Sequence, residues 1–402
     1  MPRGQYRQQP KGYRAFIPET LPPDPAINID PEMIAILSQA DRNLGRLDGI
    51  TLTLPDPDMF VFMYVRKEAV LSSQIEGTQA SLIDVLEYEN DVQRARNPQD
   101  LEEVINYVGA MNFGLERLAV FPLSLRLIRE IHAKLMDGVR GENKTPGEFR
   151  VSQNWIGAPG CTLAQATYVP PPPHEMTTAL DNWEKFLHSN NNMPFLIKLG
   201  IAHAQFETIH PFLDGNGRVG RLMITFLLCE ADILKRPCLY ISHYFKQYKS
   251  EYYTRLQRTR DAGDWEGWLK FFLRGVATVA QEATDTASAI LHVKETTQET
   301  ISKQLTRTSA GHAIPLISTL FHRPVVTVQQ VADIIGTTYA TANYLVSDLV
   351  RIGVLKEITG WGRNRRFSFE PYLALFTDAD EAPTAETDKE DAEIEPELPL
   401  RA

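Results

Sequence analysis

The chain has 402 residues, 43% of them hydrophobic and 23% charged, which suits two or three globular domains. Its net charge of −10 is uneven: residues 377–402 hold ten acidic residues against Lys389 and Arg401, which leaves −2 for the remainder. There is no apolar run long enough for a membrane span, no apolar segment after Met1–Arg7 to act as a signal peptide, and no metal-type spacing among Cys161, Cys229 and Cys238, so a reducing cytoplasm is the expected setting.

Residues 1–56 are predicted to be an arm and a helix. The arm, 1–30, is punctuated by Pro10, Pro18, Pro22, Pro23 and Pro25 and reads as extended. Asp30-Pro31 then supplies a cap and first turn, and Ile34, Leu37, Ala40 and Leu44 have helical spacing over 31–46. A second helix is predicted over 57–75, carried by Phe60, Met63, Val65 and Val70, with Gly77 as the residue past its end. Helical periodicity continues over 80–90, 100–119 and 123–138, and the glycine- and charge-rich 139–150 stretch is a loop.

Alternation on either side of Pro159-Gly160 predicts a β-hairpin over 149–170. Cys161 at its turn has no assignable base partner and is not read as a nucleophile. Helices are predicted over 176–190 and 193–209. The second places His203, Glu207 and His210 on one face. A metal site drawn there lacks a third histidine or a cysteine, so His203 reads as a hydrogen-bonded core residue.

The next stretch carries the chemistry: His210-Pro211-Phe212-Leu213-Asp214-Gly215-Asn216-Gly217-Arg218-Val219-Gly220-Arg221. The apolar run Leu222–Leu228 behind it is a buried helix, so the glycine turn opens a helix N-terminus. Turn amides and the positive end of a helix dipole make a phosphate site. Arg218 and Arg221 lie three apart on one face, and two guanidinium forks suit two phosphates. Asp214 is a hard oxygen ligand suited to Mg²⁺, and His210 can take a proton near neutral pH. A polar turn whose arginines merely solvate a helix end would explain Gly-Asn-Gly alone, not the whole set.

This stretch resembles the Fic domain signature, His-x-Phe-x-(Asp or Glu)-Gly-Asn-Gly-Arg-x-x-Arg, at every fixed position. The resemblance covers about residues 57–290. It implies a mainly all-α helical bundle with a β-hairpin flap, and a protein adenylyltransferase that moves AMP from ATP, with Mg²⁺, to a Ser, Thr or Tyr hydroxyl of a target protein or of itself. His210 would be the base, Asp214 the metal ligand, and Asp214, Gly215, Asn216, Gly217, Arg218, Val219, Gly220 and Arg221 the ATP-binding turn, with Phe212 pointing into the core. Ser72-x-x-x-Glu76-Gly77 matches the family's inhibitory motif. Its glutamate pairs with the second arginine, here Arg221, in the space needed by the γ-phosphate, so 57–77 would be an inhibitory helix. The 149–170 hairpin would be the flap, with Ala166, Thr167 and Tyr168 docking the target as an added strand; a purely structural hairpin is the alternative. Tyr252-Tyr253 looks like the family's adenine and ribose pair, with core packing as the alternative. Members of this inhibitory class often dimerise, so a homodimer is expected.

Beyond a helical connector at 291–311, residues 312–376 resemble a winged-helix domain: a helix ending at Gly336, a second helix from Thr338 to Arg351, and a hairpin turning at Gly360-Trp361-Gly362. The second helix would expose Thr338, Tyr339, Thr341, Asn343 and Ser347. With only Arg363, Arg365 and Arg366 on the wing, it offers few cations for DNA, and a protein-binding module remains the alternative. Residues 377–402 are predicted to be a disordered acidic tail. Two rival readings stay open: a DNA-binding regulator with a nucleotide-sensing Fic domain, and an enzyme that removes AMP using the same site.

Overall fold

In the computed structural model the described residues are 4–376, except 11, 54–56, 91–97, 140–143, 159, 191 and 361–364. The acidic tail, Pro159, the Trp361-Gly362 turn and Arg363 lie outside them.

The start of the N-terminal arm folds back on itself rather than running as one extended stretch. Strands β1 (Gly4–Gln8) and β2 (Arg14–Pro18) form an antiparallel hairpin in register from Gly4↔Pro18 to Gln8↔Arg14. Aromatic packing explains the difference: Tyr6 meets Phe16 edge-on across the pair, with ring centroids 5.2 Å apart, and Phe16 is buried beside Tyr168. Proline spacing carries no trace of that contact.

Helix α1 (Pro31–Thr53) runs past the predicted end at 46, because Leu47 and Ile50 keep packing against the core. Helices α2 (Pro57–Ile75), α3 (Leu82–Asn90), α4 (Pro98–Leu118) and α5 (Leu125–Leu135) follow close to their expected positions. The predicted hairpin is slight. Its ladder is one antiparallel bridge, Ile156↔Tyr168, and Leu163–Gln165 forms a single tight turn at its outer end. Val169 O accepts from Phe16 N at 2.9 Å, which ties this segment to β2.

Helices α6 (Pro173–His188), α7 (Phe195–Ile209) and α8 (Asn216–Glu230) form the centre. Helix α7 is buried along nearly its whole length, its apolar residues spread around the helix and His203, Gln205, Glu207 and Thr208 buried among them. Two fully buried tryptophans pack on it, with Trp183 donating to Ala202 O and Trp268 to Gly200 O, both at 2.8 Å. Gly200 leaves room for this close packing, since a Cβ would meet Leu269 Cδ2 at 2.8 Å and oblige that side chain to shift.

Helices α9 (Ser242–Gln247) and α10 (Lys249–Asp261) then lead into α11 (Trp265–Gln304), a 40-residue helix that lies along α1. It passes without interruption through residue 290, where the connector was expected to begin. The C-terminal part is α12 (Arg307–Leu320), β3 (Val325–Thr327), α13 (Val328–Ile335), α14 (Tyr339–Arg351), β4 (Lys356–Glu357), β5 (Arg366–Ser368) and α15 (Glu370–Leu373), with the sheet ordered β3-β5-β4. It seats on the front of the bundle: Arg366 pairs with Glu87 of α3 at 3.1 Å, and Phe376 meets Tyr64 of α2 edge-on. The architecture is mostly helical with small antiparallel sheets. Among the described residues, no helix is long and apolar enough to cross a membrane.

Candidate active site

Helix α7 ends at His210, whose backbone is left-handed with φ 50° and ψ 62°. This turns the chain sharply, so that Pro211–Gly215 cross to the start of α8. The carbonyls exposed by the turn are collected by two buried side chains. Arg150 donates to His210 O at 2.9 Å and to Pro171 O at 2.6 Å, and its own N–H donates to Pro211 O at 2.9 Å. Asn154 Nδ2 donates to Phe212 O at 2.8 Å and to His210 O at 3.2 Å. Asn216 closes the loop on itself, accepting from Phe212 N and donating to Phe212 O, both at 2.8 Å. Its side chain is therefore a clamp, and only its backbone is left to face a ligand.

Phe212 is fully buried and stacks on His132 with centroids 3.7 Å apart. Gly147 N donates to His132 Nδ1 at 2.8 Å, so Nε2 carries the ring proton and donates to Asp214 O at 3.0 Å. Burial lowers the His132 pKa to about 4, which keeps the ring neutral and this tautomer in place.

Gly215, at φ 75°, caps α8, and the first turn of that helix has no acidic residue of its own. The carboxylate of Glu76 supplies the missing negative charge. It lies over Gly217 so closely that a Cβ there would collide with it. Arg221 is 1% exposed and fully engaged by α2 and the turn behind it: Nε donates to Ser72 Oγ at 2.8 Å, Nη2 to Ser72 O at 3.0 Å, and Nη2 to Glu76 Oε1 at 2.6 Å. Burial raises the Glu76 pKa, but the charge and hydrogen bond of Arg221, together with Arg218 and His210, outweigh it and the net shift is downward, so Glu76 is ionised. Its side chain stays 36% exposed.

Arg218 is buried as well. It pairs with Glu103 of α4 at 3.2 Å and approaches Asp214 at 3.7 Å. Asp214 Oδ1 accepts from Gly215 N at 2.6 Å, and the side chain is 47% exposed. His210 Nδ1 is buried and, among the described residues, has no hydrogen-bond partner. Burial, then the charges of Arg260 and Arg150, lower the His210 pKa to about 3, so the imidazole is neutral at physiological pH. The arrangement pairs a neutral proton acceptor with a helix N-terminus and two buried arginines, each held by an internal carboxylate, Arg218 by Glu103 and Arg221 by the more exposed Glu76.

The comparisons agree with this geometry. Residues 34–116 match the model of the Fic/DOC family N-terminal region, and residues 122–228 match that of the Fic/DOC family. The chain therefore contains a Fic/DOC N-terminal region followed by a Fic/DOC domain. Its Fic region is similar to proteins named protein adenylyltransferase Fic, 31% identical in Aedes aegypti and 30% in Drosophila grimshawi, each over 168 residues. Each match takes in 40% of this chain and 29% or 30% of the relative, so the chain spans under a third of the length of those proteins. A crystal structure of a Fic family protein from Desulfovibrio desulfuricans G20 covers 85% of this chain and 97% of its own, with TM-score 0.55 and 18% identity, which shows the Fic fold.

The expected site residues do not all face one space. His210, Asp214, Gly215, Gly217, Arg218 and Arg221 come together, and Ser72 and Glu76 close over them, with Gly77 at φ 108° ending the turn after α2. Val219 points into the core at 1% exposure, and Gly220 faces Glu207, so either can meet a ligand only through its backbone. Tyr252 is internal. It is 1% exposed, stacks on Phe245 with centroids 4.4 Å apart and shares a 2.9 Å hydrogen bond with His203 Nε2. His203 Nδ1 in turn contacts Gly220 O at 3.0 Å, as a satisfied core histidine. Only Tyr253, 44% exposed, is open to a base; the charges of Glu76 and Arg221 both act on its hydroxyl.

In the flap, Thr167 is exposed and Ala166 partly so, but Tyr168 is an anchor rather than a docking residue. Its hydroxyl donates to Thr208 O at 2.7 Å, and Arg260 lies 3.8 Å from its ring centroid. Periodicity does not point to Arg150, Asn154, His132 or Glu103, each a polar residue buried by a partner distant in sequence. Among the described residues, no three His, Cys, Asp or Glu side chains converge as a metal cage.

Proposed function

We propose that the chain is a protein adenylyltransferase held in check by Glu76. One observation carries this reading: Glu76 occupies the arginine fork and the helix N-terminus that a nucleoside triphosphate would need, while His210 beside it is neutral. In the active form Glu76 is displaced. The amides of Gly215, Asn216 and Gly217, with Arg218 and Arg221, then hold the phosphates. Asp214, exposed on one side, fits a Mg²⁺ shared with those phosphates, which would neutralise charge as it develops on them. His210 takes the proton of a serine, threonine or tyrosine hydroxyl. The hydroxyl oxygen bonds to the α-phosphorus as the bond from that phosphorus to pyrophosphate breaks. The phosphates' charge would raise the His210 pKa, just as Glu76 does now, and so make it a better base when ATP is seated. Thr167 and Ala166 are the flap positions open to a target strand.

The test uses labelled ATP, a cell lysate and the full chain. Glu76→Gly should label proteins, itself included, well above wild type, and His210→Asn in that background should abolish the label. No label from Glu76→Gly would sink the transferase reading. Release of AMP from already modified proteins would support the reverse reaction. The C-terminal order of helix, strand, two helices and two strands supports the winged-helix reading. Of the wing arginines among the described residues, Arg365 is engaged by Asn343 at 2.8 Å and Arg366 is buried against Glu87, which does not favour a DNA-binding role for those two.

A further inference from the structure

Helix α2 has no basic residue in its last turn, yet its end must stay in register with Arg221 for Glu76 to reach the fork. The last carbonyls of a helix lack intrahelical partners and carry the negative end of its dipole. Here a neighbouring strip of chain supplies them. Lys249, which opens α10, donates from Nζ to Ile75 O at 2.6 Å. Lys246 of α9 donates to Gln74 Oε1 at 2.7 Å, and Gln74 Nε2 in turn donates to Ala80 O at 2.9 Å, stapling the loop that follows. Further back, Ser242 N donates to Glu68 Oε2 at 3.0 Å. Ser242, Lys246 and Lys249 thus grip Glu68, Gln74 and Ile75 in order along α2.

The backbone of the inhibitory turn hangs from the same residues. Glu76 N donates to Ser73 O at 3.0 Å, Gly77 N to Gln74 O at 3.1 Å, and Thr78 N to Ser73 O at 3.2 Å. Glu76 is therefore placed by the backbone beneath it as well as by its own ion pair.

We infer that Lys246 and Lys249 are positioning residues that latch the end of α2 and so keep Glu76 in the Arg221 fork. This rests on the reading of Glu76 as a restraint. Neither lysine is a catalytic residue, and loss of the latch frees Glu76 without touching it.

Two measurements on the full chain test it. In hydrogen exchange, Lys246→Met/Lys249→Met should expose the amides of Glu76, Gly77 and Thr78 about three- to tenfold more than wild type, the range for two partly exposed charge-assisted hydrogen bonds, and Lys249→Arg should retain protection. In labelling with ATP, the double variant should rise above wild type by a similar factor, yet add nothing in the Glu76→Gly background. Unchanged exchange at those amides overturns the inference. An equal gain in the Glu76→Gly background overturns it too, since the lysines would then act on chemistry or nucleotide binding. If exchange rises while Glu76→Gly itself labels nothing, the latch stands and it is the restraint reading that falls.

Discussion

Glu207 gives a quantitative test of the electrostatics beneath the site. It lies three residues before His210, is 7% exposed and presses on Gly220, and among the described residues its Oε1 has no hydrogen-bond partner. Burial drives its pKa from 4.5 to about 7; Arg221 pulls it down and Glu76 pushes it further up. The folded protein therefore favours the protonated carboxyl. The stability tied to that proton is fully present below the unfolded value and is lost as pH rises through the folded one, a window of about 4.5 to 7. The gap corresponds to about 3 kcal/mol. Glu207→Gln mimics the protonated form at nearly the same volume and removes the dependence. In urea unfolding, wild type and variant should agree within about 1 kcal/mol at pH 5, and the variant should be the more stable by about 2–3 kcal/mol at pH 8. Glu76→Gly should move the wild-type window to lower pH, since it deletes a charge that raises Glu207. If Glu207→Gln destabilises the protein equally at both pH values, Glu207 is an ionised partner of Arg221 and the reasoning is wrong.

Two further outcomes follow from the backbone around the turn. His210 sits at φ 50°, where asparagine is at ease and alanine is not. His210→Asn and His210→Ala should both lack labelling, but urea unfolding should find the alanine variant less stable by about 1 kcal/mol; equal stabilities would mean the left-handed turn is not held in solution. Gly220→Ala should cost about 1–3 kcal/mol by forcing a methyl group against the Glu207 carboxyl, and combining it with Glu207→Ala should recover part of the loss; strictly additive costs would place the strain elsewhere.

What is legible in the chain and what is not divides along the distance over which each feature is built. The turn from His210 to Arg221 can be read because its own residues do most of the work: Asn216 closes on Phe212, and Gly215 supplies the left-handed cap. The long helices can be read because burial imposes a period on contiguous residues. The groups that hold the turn in place cannot. Arg150, Asn154 and His132 come from loops and a helix some sixty to eighty residues upstream, and each is a polar residue that a hydropathy pattern assigns to the surface. The same limit explains Tyr252 and Tyr168, where an aromatic expected at the site proves to be an internal strut with its hydroxyl satisfied.

It also explains why the pairing of Glu76 with Arg221 is visible only through a family motif. The two residues are 145 positions apart, and nothing in the periodicity of α2 marks its last turn as different from any other helix end. What distinguishes that turn is electrostatic. Helix α8 begins with two arginines and no acid, and α2 ends with no base. Each helix end lacks the charge its dipole calls for, and each takes it from another element: Glu76 for α8, Lys249 for α2. A nucleoside triphosphate would bring the same kind of charge to α8 as Glu76 does. On the proposed reading, the site is complementary to Glu76 and to ATP for one physical reason, and release of α2 would be the step that decides between them.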